Sequence, residues 1–215
     1  PGEALGQIGM LGGLVGNDDH AIAALSNASS FGFYNSVLAG PAGSVAVLAR
    51  LDAPAPGLTD SVHDRGFKRL HQADSGAIAF FGQIRPAPGL SGDVGGVVWR
   101  SIGGIVQPLL QHRQHVFGLN ANQYVDFFDG SEPQITIGNA GRMAVVAGFR
   151  TEGSPSVSGN RAIYTGDNAS SMSVALRRAQ EVALGSGTFW IDSVTIQDIS
   201  STGSILIRSE EHTSE

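Results

Sequence analysis

Apolar residues in this chain come in short runs, each cut off by glycine or by small polar residues within a few positions. Phe67–Leu70, Ala77–Gly82, Val97–Arg100 and Ile105–Leu110 form one set of four such runs. Tyr124–Phe128, Met143–Phe149, Ala162–Thr165 and Met172–Leu176 form a second. Runs of this length bounded by turn residues predict β-strands rather than helices. Gly76 and the Gly103-Gly104 pair sit where hairpin turns need positive φ, which a Cβ disfavours. Pro54, Pro56, Pro86, Pro88 and Pro155 fall between runs, where no ladder N–H is lost. Val174–Leu184 could be drawn as an amphipathic helical turn or two. Its phase favours a strand followed by a loop that ends at Gly185.

The runs repeat. A turn pattern of small or polar residues before an apolar stretch occurs at Asn17–His20, Ala73–Gly76, Gly138–Gly141 and Ser200–Gly203. Its last positions are spaced by 56, 65 and 62 residues. A second landmark keeps the same phase: Leu48-x-Arg50 before Gly57, Leu109-x-Gln111 before Gly118, and Leu176-x-Arg178 before Gly185. Pro1-Gly2 matches Pro56-Gly57, and the apolar stretch Ile8–Val15 then reads as the first strand of a repeat. A unit of this length cannot bury its own apolar face and must stack on neighbours. The expected organisation is a partial repeat over 1–57, full repeats over 58–118 and 119–185, and a partial repeat over 186–207. Four antiparallel strands in ~60 residues is the unit of a β-propeller blade. The expected fold is therefore all-β, an incomplete propeller-like array of four-stranded antiparallel repeats, with a β-sandwich as the alternative.

Composition changes this picture little. Thirty glycines and 7% aromatics in 215 residues suit short strands joined by many turns. The chain has 13 basic and 19 acidic residues, a net charge of −6, with Lys68 its single lysine. A mildly acidic surface argues against nucleic acid or an anionic membrane as partner. Cysteine is absent, which excludes disulfides and leaves the redox compartment open. No run of ~18 apolar residues predicts a membrane span. The last eight residues, Arg208–Glu215, resemble the in-frame translation of a sequencing adapter and are expected to be a non-native tail. The chain is then expected to be a piece of a longer bacterial protein, cut at both ends.

Two segments carry a family resemblance. Leu48-Ala49-Arg50-Leu51-Asp52-Ala53-Pro54-Ala55-Pro56-Gly57 resembles the repeat tail of bacterial tandem-repeat proteins of the "NxxGxxxF", choice-of-anchor type. Gly76 with Phe80 resembles the core of that motif, with Ala73 in place of its Asn. His20 stands for the Gly elsewhere, and Ala24, Val145 and Ile207 for the Phe. The resemblance implies a secreted or surface-attached protein and no particular activity. A polar residue before the turn can bond the backbone two residues on. The Phe position is expected between neighbouring sheets, where aromatics bury much apolar area. Ala24 is expected to pack poorly there.

Chemistry-bearing residues are few, and each has a structural explanation. Asp126-Phe127-Phe128-Asp129-Gly130-Ser131-Glu132 is acidic enough to invite Ca²⁺ but lacks the alternating spacing of a calcium loop. It is expected to be an Asp-Gly turn. His112 and His115 could offer two imidazoles, yet three apart on a strand they face opposite sides, and no third zinc ligand can be placed. Carboxylates for glycoside hydrolysis could come from Asp18, Asp19, Asp52, Asp74 or Asp192. Asp18 and Asp74 share the turn position, where a structural role suffices. Arg50 and Arg178 match across repeats and are expected to stack or pair at sheet surfaces. Asn27-Ala-Ser29 and Asn168-Ala-Ser170 have the glycosylation spacing without a eukaryotic context. No serine elbow, cysteine nucleophile or phosphate loop occurs. The expected function is a non-catalytic extracellular or cell-surface scaffold or interaction module for a glycan or protein, with no catalytic, cofactor or metal residues. The alternative is a fragment of a propeller enzyme acting on glycans through carboxylates.

Overall fold

A computed structural model describes residues 8–9, 21–25, 35–40, 46–92, 94–127, 133–154, 160–184, 187–200 and 204–212. These residues contain strands, turns and no helix. The chain divides into two compact units, residues 1–109 and 110–215, each holding two antiparallel sheets. The fold class is all-β. Every described sheet is open rather than closed on itself.

In the first unit, sheet 1 runs β1 (Ile8–Gly9), β2 (Ala21–Leu25), β3 (Ser36–Gly40), β4 (Ala46–Arg50) in sequence order. Sheet 2 follows as β5 (Ser61–Gln72), β6 (Ile78–Pro86), β7 (Gly95–Ile102), β8 (Ile105–Gln111), the last strand ending just past the unit boundary. Their facing surfaces make one core: Val37, Ala39 and Ala49 from sheet 1 meet Phe67, Ile78, Phe80, Val97 and Trp99 from sheet 2. Phe80 occupies the expected inter-sheet position, fully buried and stacked on Trp99 at 5.5 Å. Ala79, Phe81 and Val98, on the opposite face of sheet 2, are buried too. That two-sided burial explains why the run reads as continuously apolar rather than alternating. Pro108 is tolerated within β8 because β8 is an edge strand.

In the second unit, sheet 3 comprises β9 (Gln123–Asp126), β10 (Gln134–Ile137), β11 (Met143–Thr151), β12 (Arg161–Gly166) and β13 (Ser173–Arg177). β9 and β10 both pair with β11, at its two ends, so together they act as one interrupted first strand. Sheet 4 comprises β14 (Glu181–Leu184), β15 (Gly187–Ile199) and β16 (Ile205–His212). Ala144, Val146 and Ile163 of sheet 3 pack on Ile191 and Val194 of sheet 4, with Ile196, Ile205 and Ile207 beside them. The loop expected after Leu176 is corrected here. Glu181–Leu184 forms a strand paired with β15, because Val182 finds apolar cover in this core. Residues 208–212, expected as a foreign tail, continue β16 opposite β15. The expected poor packing of Ala24, and the stretch from Met10 to Val15, fall outside what is described.

The turn that revealed the repeat has one backbone geometry in both full copies. Gly76 and Gly141 each have φ +80°. Their N–H groups donate to Ala73 O at 2.9 Å and Gly138 O at 2.8 Å. The hairpin-closing bonds match as well: Ala73 N to Ala77 O at 2.9 Å, Gly138 N to Arg142 O at 2.9 Å, and Ser200 N to Ser204 O at 2.8 Å.

Candidate functional site

The feature that recurs most completely is a junction, where the tail of one strand set is tied to the first strand of the next. After β4, Ala53 N donates to Arg50 O at 3.2 Å, closing a turn. Asp52 N then donates to His63 O and His63 N to Ala53 O, both at 3.0 Å. After β8, Gln114 N donates to Gln111 O at 3.1 Å, Arg113 N to Val125 O at 2.9 Å and Val125 N to Gln114 O at 3.0 Å. After β13 the set is Gln180 N to Arg177 O at 3.3 Å, Ala179 N to Ile191 O at 2.7 Å and Ile191 N to Gln180 O at 3.0 Å. The middle tail residue is left-handed each time: Asp52 at φ +60°, Arg113 at +66°, Ala179 at +58°. Non-glycine residues avoid that region at a cost of roughly 1–2 kcal/mol. Three unrelated side chains accept it, so the backbone bonds impose the conformation.

Side chains reinforce two of the three junctions. Gln114 Oε1 accepts from Gln111 N at 2.8 Å, and Gln180 Oε1 accepts from Arg177 N at 3.1 Å. Ala53 has no group to do this. Four residues further on, Gly57 and Gly118 stand at φ +73° and +93°. A Cβ on Gly57 would lie 2.5 Å from Pro108 Cδ, and one on Gly118 2.9 Å from Val174 Cβ. Both glycines are therefore required twice over, by φ and by close approach. Gly185, the third in the expected series, lies outside the described residues. In the first junction Trp99 Nε1 also donates to Pro56 O at 3.3 Å, pinning the tail to β7.

These bonds correct one alignment. Arg50, Gln111 and Arg177 occupy the same place, so Arg178 is not the counterpart of Arg50. Bulges opposite Val37/Leu38 and Ile163/Tyr164 insert one residue into β4 and β13. The Leu-x-Arg spacing at Leu176 is one residue out of step with the backbone.

The junction also aligns three aspartates: Asp64, Asp126 and Asp192 directly follow His63, Val125 and Ile191. Each stands where its first strand breaks step, at the β5 bulge, at the β9–β10 interruption and at the β15 bulge. Each has a basic neighbour. Arg178 Nη2 lies 3.3 Å from Asp192 Oδ1, and His112 Nδ1, at the in-phase position, lies 3.6 Å from Asp126 Oδ1. Leu51 replaces the base in the first junction, and Arg85 Nε approaches Asp64 Oδ1 at 3.5 Å instead. Asp126 is 2% exposed, Asp64 24% and Asp192 45%, so the three pairs span core to surface. His112 also stands edge-on to Tyr124 at 6.2 Å.

The remaining candidates scatter. Asp52 pairs with Arg85 at 2.8 Å while 68% exposed, and Asp74 is exposed at the Gly76 turn. His115 is exposed beyond the junction that holds His112. Asn168 Oδ1 accepts from Ser170 N and Ser171 N, a self-contained turn. Asp18, Asp19, Asn27 and the segment from Phe128 to Glu132 lie outside the described residues. Among the described residues, no three His, Cys, Asp or Glu side chains converge as metal ligands. Also among them, no helix is long and apolar enough to cross a membrane.

A family of unknown function, DUF7453, matches residues 11–212. The chain belongs to that family. Its match spans β2 to β16 and all three junctions, so junction and sheet form the body of the DUF7453 chain. No curated protein matches the chain.

Proposed function

We propose that this DUF7453 chain is a non-catalytic repeat scaffold, extracellular or attached to the cell surface, whose loops engage a glycan or a protein. In this account its four-stranded sheets are blades of a propeller-like array. One observation carries it. The positions that recur most closely, the turn glycines and the left-handed tail residue, hold backbone to backbone, and the aligned aspartates pair with bases of the same chain. Extracellular placement is supported by the resemblance of Leu48–Gly57 and of Gly76 with Phe80 to tandem-repeat surface proteins.

A second reading, carboxylate chemistry on a glycan, draws support from the in-phase Asp64, Asp126 and Asp192. The buried Asp126 beside His112 is its strongest element. A glycan array probed with the purified chain, followed by turnover assays on whatever binds, separates the two. Binding without turnover supports the scaffold. Turnover that disappears in Asp126→Asn while binding persists contradicts it.

A further inference from the structure

His63 does not fit its surroundings as its counterparts do. The positions in phase with it hold Val125 and Ile191, which are buried aliphatics. The His63 ring is likewise fully buried, but Nδ1 and Nε2 have no hydrogen-bond partner. It stands edge-on to Phe67 at 4.7 Å and to Trp99 at 4.9 Å. A buried N–H without a partner costs free energy, and an imidazolium there would cost far more. Burial accordingly lowers the His63 pKa from 6.5 to about 4.

Charged groups on the packed elements do not relieve this. Asp52 on the tail, Asp64 and Arg65 on β5 and Arg85 on β6 pair with one another. Asp64, next along β5, points to the opposite face of the sheet. Arg85 lies across from Val62, while His63 lies across from Ile84. β7 contributes Trp99 to the box.

We propose that His63 makes the junction between sheets 1 and 2 acid-sensitive: to take up a proton the imidazole must leave its aromatic box, and the Asp52–Ala53 tail separates from β5. The backbone of the same residue carries two of the bonds that hold the tail to β5, beside Ala55 N to Ser61 O at 2.9 Å, so the segment that must move to free the ring is the one that makes the tie. The opened form binds one more proton than the closed form between the two pKa values. Opening therefore becomes about tenfold more populated for each pH unit below 6.5, levelling off near 4. The Ile191 position is aliphatic and its tail carries no histidine, so that junction stays closed.

The test is amide hydrogen exchange by NMR on the full chain at several pH values from 7 to 4, corrected for intrinsic rates. His63 and Asp52 amides are compared with Ile191 and Ala179, the equivalent pair in the junction without a histidine. The expected result is a His63-to-Ile191 exchange ratio that is flat above pH 6.5 and rises about tenfold per pH unit below it, and a flat ratio in both His63→Val and His63→Leu. A flat ratio in the native chain overturns the proposal. So does a slope that survives in a folded His63 variant, which would assign the effect to Asp52 or Asp64.

Discussion

The core between sheets 1 and 2 and the core between sheets 3 and 4 are built on the same backbone and filled in different ways. The first is aromatic, with Phe67, Phe80 and Trp99 around a buried histidine. The second is aliphatic, with Val146, Ile163, Ile191 and Val194. The junction bonds beside each are nevertheless the same within a few tenths of an ångström. Backbone bonding at the tail sets the arrangement, and the core needs only to be apolar and to fill its volume. Where the filling includes an unpaired imidazole, the shared geometry acquires a pH dependence that its sister lacks.

Deleting the central ring breaks the comparison hardest. Trp99→Ala removes a fully buried side chain and its bond to Pro56 O, and should cost about 3–5 kcal/mol. Ile163→Val in the aliphatic core should cost about 1 kcal/mol. Urea denaturation of both variants checks the ranking; equal losses would mean the aromatic core is not the main stabiliser of its unit.

Acid is expected to act next. The folded-state pKa of His63 lies below its unfolded value, so its stabilising contribution is complete above pH 6.5 and lost as pH falls toward 4. The loss over that window is on the order of 3 kcal/mol. His63→Val should reduce the pH dependence of the unfolding free energy from urea denaturation by about that amount. An unchanged pH profile would place the sensitivity elsewhere.

Glycine substitutions sharpen the junction itself. Gly57→Ala combines a left-handed φ with a Cβ driven into the Pro108 ring, and should destabilise by about 2 kcal/mol or more. Gly103→Ala has φ +58° and open space around the added methyl, so about 1 kcal/mol is expected. Thermal melts of the two, with Gly57→Ala/Pro108→Ala as a partial rescue, test whether close approach matters beyond φ.

The smallest effect is expected at the exposed member of the aspartate series. Asp192 and Arg178 are both more than two-fifths exposed, so Asp192→Asn should change stability by less than about 1 kcal/mol. Asp126 is buried, and Asp126→Ala should cost about 1–3 kcal/mol through the partners it strands. Equal losses would show that burial does not grade the series.

Much of this was legible in the amino-acid order, for a physical reason. Apolar runs such as Ala77–Gly82 and Met143–Phe149 bury both faces, so their strands announce themselves. Gly76 and Gly141 supply a φ that other residues resist, so the turn recurs visibly. The junction was not legible, because Asp52, Arg113 and Ala179 share a conformation but no chemistry. The aligned aspartates were hidden by bulges of unequal length between them and the following apolar run. β14 was hidden because four residues of mixed polarity become a strand only when β15 lies alongside.

Amide exchange at three positions tests the central claim most directly. His63, Val125 and Ile191 each donate to a strand tail. At neutral pH all three amides should exchange far more slowly than those of the exposed turn residues Gly103 and Gly104. Exchange of any one of them at the turn rate would show that the three junctions are not equivalent, and the account of a repeated tie would fail.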